Sequence, residues 1–505
     1  MGNTLQWTVS PAQERSLQDF LVRATNDLGA SADQAWTVRT SGTVTVSSVT
    51  DYHTASGVTG LPATLTPGAT AAWVPDGLGG FTKIPSVGQA DGSVTLPHVP
   101  YGTYYLQNLT SAYVETASSV NLGTDIWGRS DRASIQTSPT NLVLNLTSMT
   151  PWQPIDSLTW FDAYAGTNLI LGAANSGGPL AGDTALVGAT YNLAGRSFVH
   201  LENTALGDSP VLLHSSALSV PAGTGGSYLT PTQVFTPFPL VQSDGVSTVL
   251  SGGFSTLPMS SSYPFTLNGA DFDAQRTAVS PLANFSSSSF SVVPNPAGTA
   301  FYNSAIGSLY LINMSTNAFG TTNQGQWNLP FGNPFPADWP LLWNYGHNYA
   351  VYYTLPGAAS SVGIGAGMQI RSAQLPSTGN PITPKITPVR NATLGGQSLN
   401  GTVAGVGLTP LLAWDPPSVG TATFTLVIVN RLYKNASNLL SIETVLSART
   451  QGNNLQILPG VLVPGETYVF TIRAYMLPTF QMAMPNRTAT LEQALASYQS
   501  PAFTP

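Results

Sequence analysis

Apolar and polar residues alternate with a period of two along many short stretches of this chain, and that period belongs to strands. Thr43-Val44-Thr45-Val46 carries it, and Ala350-Val351-Tyr352-Tyr353-Thr354 and Thr423 to Val429 read as further short strands between turns. Glycine (49 residues) and proline (39) break every long helical window. Short strands spaced by turns predict an all-β chain of tandem sandwiches. One stretch, Pro11 to Gly29, reads two ways. Leu17, Phe20, Leu21, Ala24 and Leu28 fall near helical spacing, whereas Phe20, Val22 and Ala24 alternate as in a strand. The similar run Ser157-Leu158-Thr159-Trp160-Phe161, set against Ser16-Leu17-Gln18-Asp19-Phe20, tips the reading towards strand. Proline-bearing connectors near Ser148 to Ile155 and Leu375 to Pro388 divide the chain into 1–150, 156–374 and 384–505.

The chain is long enough, at 505 residues, for several cores. Only 8% of its residues are charged, against roughly 25% in an average soluble protein. Polarity comes instead from Ser, Thr, Asn, Gln and Gly, a surface suited to strand-rich exported proteins. The net charge of -7, with lysine only at Lys83, Lys385 and Lys434, does not suit a phosphate backbone, so no nucleic-acid partner is expected. The absence of cysteine excludes disulfides, thiol nucleophiles and Cys-based zinc sites. No apolar run is long enough to span a bilayer as a helix. The start, Met1-Gly2-Asn3-Thr4-Leu5-Gln6, is polar and shows no signal peptide. The expected location is nonetheless extracellular or at the cell surface, on composition and domain type.

The most specific motif is C-terminal. Leu412-Ala413-Trp414-Asp415-Pro416-Pro417 sets Leu412 and Trp414 on one strand face, and the prolines end that strand. A corner, Leu462-Val463-Pro464-Gly465-Glu466-Thr467-Tyr468, then leads into Tyr468, Phe470, Ile472 and Ala474 alternating with Val469, Thr471 and Arg473. A buried Trp on one sheet and a Tyr whose hydroxyl bonds back to the corner are sandwich hallmarks. This segment resembles the fibronectin type III family, an immunoglobulin-like fold with the Trp on its second strand and the Tyr opening its sixth. The stretch Leu477 to Leu495 is longer than that family's usual last loop and carries no Arg-Gly-Asp. Further upstream, Ala90-Asp91-Gly92 and Pro100-Tyr101-Gly102 bracket the strand-like run Ser93 to Val99, and a second run follows to Leu106. The region Gly42 to Leu122 resembles the hairpin-bearing carboxypeptidase-regulatory, transthyretin-like sandwiches, which are noncatalytic accessory modules. The whole chain is similar to fibronectin-containing surface proteins or lipoproteins of Gram-negative soil bacteria.

Candidate chemistry is sparse. Aromatics crowd between Trp327 and Tyr353, among them Trp339, Trp343 and Tyr345. These three are the candidate glycan-stacking residues, because Pro336 and Pro340 oppose a regular strand and favour a loop that presents rings outward. The competing reading is that they fill a β core. Asp271 and Asp273, after Asn268-Gly269, resemble part of a calcium loop but lack its remaining ligands, so a turn capped by an Asx side chain is expected. His53, His98, His200, His214 and His347 are scattered and show no His-Glu-x-x-His spacing, and no Gly-x-Ser-x-Gly elbow occurs. His200 and Glu202 would share one face of a strand. No cofactor is implied. Leu375-Pro376-Ser377-Thr378-Gly379 matches a sortase sorting pattern, yet a further domain follows it, so it reads as linker. These observations favour a noncatalytic exported surface or matrix protein, adhesive or self-assembling. A glycan-binding protein, or a secreted hydrolase with its site in 156–374, are the alternatives. The partners expected are the chain itself or cell-surface glycans.

Overall fold

The computed structural model describes residues 7–26, 28–172, 176–220, 226–237, 239–298, 309–315, 324–376, 380–401, 403–487 and 491–505. The polar start Met1 to Gln6 and Ser377–Gly379 of the sorting-like pattern lie outside these. The protein is all-β: strands dominate, and the two α-helices among the described residues, Gly269–Asp273 and Arg276–Val279, are single turns. The ambiguous N-terminal stretch is strand. Leu17–Thr25 and Ser31–Arg39 form an antiparallel hairpin, closed by Asn26, whose Oδ1 accepts from the N–H groups of Leu28 and Ala30. Gly29 (φ +81°) takes the left-handed position that this turn requires.

Behind the hairpin stands a four-on-four sandwich. One layer runs Ser119–Asn121, Ser41–Ser47, Val94–Pro100, Val87–Gly88. The facing layer runs Phe81–Pro85, Thr70–Pro75, Tyr104–Asn108, Ser111–Glu115. Val44, Val46, Val94, Leu96, Tyr104 and Leu106 are fully buried between the two. Here the structure corrects the hairpin expected across Pro100-Tyr101-Gly102. Val94–Pro100 and Tyr104–Asn108 lie in opposite layers, not side by side. Both strands bury their apolar faces against each other, which only facing layers allow. Gly102 (φ +112°) turns the chain between the layers. The Asp91-Gly92 turn does close a hairpin, between Val87–Gly88 and Val94–Pro100. There the Asp91 carboxylate accepts from the Ser93 N–H at 3.0 Å.

The central region holds two cores. Asn141–Thr147 pairs with Leu186–Asn192 and Thr248–Gly253. That layer packs through Leu142, Leu144 and Leu146 against Leu158, Trp160 and Leu212 of the layer formed by Ser157–Asp162, Thr167–Leu171 and Val211–Ser219. The strand before the Pro151 connector thus belongs with the central strands. In the second core, the pair Ser261–Asn268 and Gln324–Phe331 covers Asn284–Pro294, Leu341–Tyr353 and Val362–Ser372. Phe265 lies stacked between Phe290 (3.9 Å) and Trp327 (5.1 Å).

In the C-terminal region the short strand Gln397–Ser398, Arg390–Leu394, Leu411–Asp415 and Asn454–Gln456 form one layer. Leu440–Thr450, Phe424–Lys434, Thr467–Met476 and Gln493–Gln499 form the other. Trp414 and Tyr468 are buried between them. The Tyr468 hydroxyl accepts a hydrogen bond from the Val463 N–H at 2.9 Å, closing the corner back on itself.

Hydrogen bonding does not stop at these regional limits. A 17-stranded sheet runs through all of them. It starts at Thr167–Leu171 and crosses the central strands to Val362–Ser372, which pairs with Gln493–Gln499. It continues to Leu440–Thr450, which pairs in parallel with Ser111–Glu115, and it ends at Phe81–Pro85. The C-terminal strands therefore sit between the central and the N-terminal ones. The long segment after Met476 serves this junction. Met482 is buried in the N-terminal core. Asn486 donates to the Leu122 carbonyl at 2.7 Å, and Arg487 bonds Asp51 at 2.6 Å and Asp125 at 2.7 Å. The extra length is an internal clamp.

Candidate functional site

A cleft of about 330 Å³ opens where the end of Ser157–Asp162 meets the proline-rich loop 333–340. The loop is shaped by its own sequence. The Asn333 Oδ1 accepts from the Phe335 N–H at 3.0 Å, and the Trp339 N–H donates to the Pro336 carbonyl at 3.1 Å. With Pro334, Pro336 and Pro340 unable to donate to a ladder, the segment leaves the sheet and turns its rings together. Phe335 and Trp339 stack at 5.4 Å with 8° between their planes, and Phe161 meets Phe335 edge-on at 5.6 Å. Trp339 is half-buried, so one part of its ring faces the cleft. Tyr164, Ser209 and Asp338 bring the polar groups that line it.

The opposite wall is held by buried acids. Asp162 accepts from the N–H groups of Tyr164 (2.7 Å) and Ala165 (2.8 Å) with one oxygen and from Ser209 (2.5 Å) with the other. That clamps the turn carrying Phe161 and Tyr164 to the segment carrying Ser209. Gly166 (φ +72°) completes the turn, and a Cβ there would collide with the Arg132 guanidinium. Asp208 accepts a two-pronged bond from Arg129 at 2.9 and 3.0 Å, the strong form of this pair. Burial, aided by Asp208, pushes the Asp162 carboxyl up to about 6. Glu202 is fully buried, with the Thr167 hydroxyl and Trp160 indole close but outside good hydrogen-bond geometry. Burial first, then the neighbouring Asp162, push it well above the usual carboxylate range. Both causes favour its neutral, protonated form. These acids build the wall, and their side chains do not line the cleft.

The three aromatic candidates separate. Trp343 and Tyr345 are core residues at 4% and 1% exposure. The Trp343 indole donates to the Gln374 carbonyl, and the Tyr345 hydroxyl lies 3.1 Å from His347 Nδ1. Of the three, Trp339 lines the 330 Å³ cleft, whereas Trp343 borders no more than a pocket of about 10 Å³. Asp271 and Asp273 lie on the helical turn Gly269–Asp273, with Asn268 donating to Asp271 at 2.6 Å in place of the expected backbone cap. No cluster of three acidic, His or Cys side chains suited to a metal occurs among the described residues. His200 and Glu202 sit in an irregular segment beside a single bridge to Ser134, not on a strand face. Phe161, Tyr164 and Asp162 escaped sequence reasoning. Their one signal was an Asp four residues before Gly166, a turn signature common throughout the chain.

No protein-family model matches the chain, and no curated protein sequence does either.

Proposed function

We propose that this is a noncatalytic, exported surface protein whose adhesive function is carbohydrate binding at the Trp339 cleft. The observation that carries the reading is the Phe335–Trp339 platform, a flat aromatic surface beside the polar groups of Tyr164, Ser209 and Asp338. Sugar rings pair an apolar C–H face with a belt of hydroxyls, and this wall offers a partner to each. The hydrolytic alternative needs two carboxylates about 5 to 9.5 Å apart on either side of one substrate bond. The cleft lining supplies Asp338 alone, and both oxygens of Asp162 are held by backbone N–H groups. The continuous sheet suits an adhesive role, because it ties the cleft to the C-terminal and N-terminal layers through backbone bonds. The two C-terminal layers with their buried Trp414 and Tyr468 corner support a fibronectin type III-like module, and the four-on-four N-terminal layers a transthyretin-like one. Cysteine-free, weakly charged surfaces support export. The test is a screen of immobilised glycans with the full chain, scored for binding and for release of reducing ends. Retention without cleavage is expected; turnover, or no retention on any glycan, contradicts the reading.

A further inference from the structure

The N-terminal hairpin stands apart from the long sheet. Both its strands are nine residues long and mostly exposed, and each pairs only with the other among the described residues. Its base is fixed. Arg15 lies over the Tyr104 ring at 4.9 Å and donates to the carbonyls of Pro100 (3.1 Å) and Thr116 (2.9 Å). Beyond that anchor, one face carries Phe20, Val22, Trp36 and Val38, with Trp7 edge-on to Phe20 at 4.8 Å. The other face carries Leu17, Leu21 and the ion pair of Arg23 with Asp33 at 2.7 Å. A two-stranded ribbon is marginal in water, whereas three or more strands with an apolar face are stable. An unpaired apolar edge is also a template for another strand.

The free edge of Leu17–Thr25 is complementary to itself. Laid antiparallel on a second copy with Leu21 opposite Leu21, it sets Asp19 against Arg23 twice, Phe20 against Val22, and Gln18 against Ala24. Sliding the partner by two residues sets Asp19 against Leu21 or Thr25. Sliding it by four opposes Asp19 to Asp19 or Arg23 to Arg23. A one-residue slip turns the apolar face over. Opposite charges across strands stabilise and like charges destabilise, so one register stands out. We propose that two copies of this chain join through this edge, about a two-fold axis at Leu21. The product is a four-stranded sheet with Phe20, Val22, Trp36 and Val38 of both copies on one face. The proposal goes beyond carbohydrate binding and does not depend on it.

Sedimentation of the full chain across a concentration series tests it. Wild type should dimerise. Asp19→Arg alone puts two arginines opposite each other, and Arg23→Asp alone two aspartates, so each should raise the dissociation constant roughly tenfold or more. Mixed one to one, they restore both pairs, and a heterodimer should form. The cysteine-free background gives a second readout. Leu21→Cys should cross-link rapidly on mild oxidation. Leu17→Cys should not, because the two copies of position 17 lie about 26 Å apart in this register, eight strand positions at roughly 3.3 Å each. A wild type that stays monomeric at every concentration overturns the proposal. So does a dimer indifferent to both charge reversals, or one in which position 17 cross-links as fast as position 21.

Discussion

Loop 333–340 and strand Leu341–Tyr353 are neighbours in sequence, both rich in aromatic residues, and opposite in fate. The loop's Trp339 stacks on Phe335 and faces a cleft. The strand's Trp343 and Tyr345, four and six positions on, are shut in the core. Residue type does not separate them. Backbone hydrogen bonding does. From Leu341 to Tyr353 every N–H is available to the ladder, and Asn284–Pro294 and Val362–Ser372 pair on its two sides. Alternate side chains are then driven into the second core. In 333–340 three prolines remove donors, the ladder fails, and the rings pack on each other at the rim. Release of the backbone from the sheet is what leaves the Trp339 ring at a cleft while Trp343 and Tyr345 are enclosed.

The largest effect that can break this comparison is expected at the core position. Trp343→Ala should cost about 3 to 5 kcal/mol in denaturant unfolding, the range for a buried large aromatic. A cost below about 1 kcal/mol, the level of ordinary surface changes, would place Trp343 at the rim with Trp339.

A smaller effect sharpens the role of the acids behind the cleft. Asp162 and Glu202 keep protons in the folded state that the unfolded chain releases near its ordinary carboxylate range. Their contribution to stability is therefore full in acid and is lost as pH rises, for Asp162 between about 4 and 6 and for Glu202 from the ordinary carboxylate range upward. Burial pushes Glu115 up to about 7 in the same sense. His200 and His347 act oppositely. Burial holds both down to about 4, so stability falls as pH drops from 6.5 towards 4. The two trends offset each other below 6.5 and leave the acids alone above it. The melting temperature should decline gently as pH rises above 6.5, and Glu202→Gln, which keeps the shape without the proton, should flatten that decline. An unchanged slope in the variant would show that Glu202 is ionised in the folded protein.

A smaller stability change than at Trp343 is expected at the C-terminal corner. Tyr468→Phe removes the hydroxyl that accepts from Val463 and keeps the packed ring. It should cost about 0.5 to 1.5 kcal/mol, the net worth of one hydrogen bond. A loss as large as that at Trp343 would mean that the hydroxyl, not the ring, holds the corner.

Much of this fold can be read from residues alone wherever a side chain reports its own environment. The alternation from Tyr468 to Ala474 marks a strand, and the turn before it marks the corner, although the structure buries both faces from Tyr468 to Ile472. The Val94 to Leu106 segment shows the limit. Two apolar strands joined by a tight turn are written alike whether they pair edge to edge or face each other across a core. The continuous sheet is less legible still. The parallel register of Ser111 with Ser447 and Tyr113 with Arg449 is made by peptide groups that every residue carries. Nothing in Ser-Ala-Tyr announces that a strand more than three hundred residues away will pair with it. The cleft was half legible. Prolines beside Trp339 argue for a loop, but the partners Phe161 and Tyr164 come from a turn whose Asp162 clamp looks like any other Asx turn.

The most direct measurement concerns Trp339. The tightest-binding oligosaccharide from the glycan screen is titrated by calorimetry into wild type and into Trp339→Ala, with melting curves recorded on both. Loss of the stacking face should weaken binding by about 1 to 2 kcal/mol, the scale of ring stacking on a side chain, which is roughly 5- to 30-fold in dissociation constant. The melting temperature should hold nearly constant, because a half-buried rim residue leaves the cores intact. Unchanged affinity in Trp339→Ala, or a fall in melting temperature as large as that of Trp343→Ala, contradicts the account.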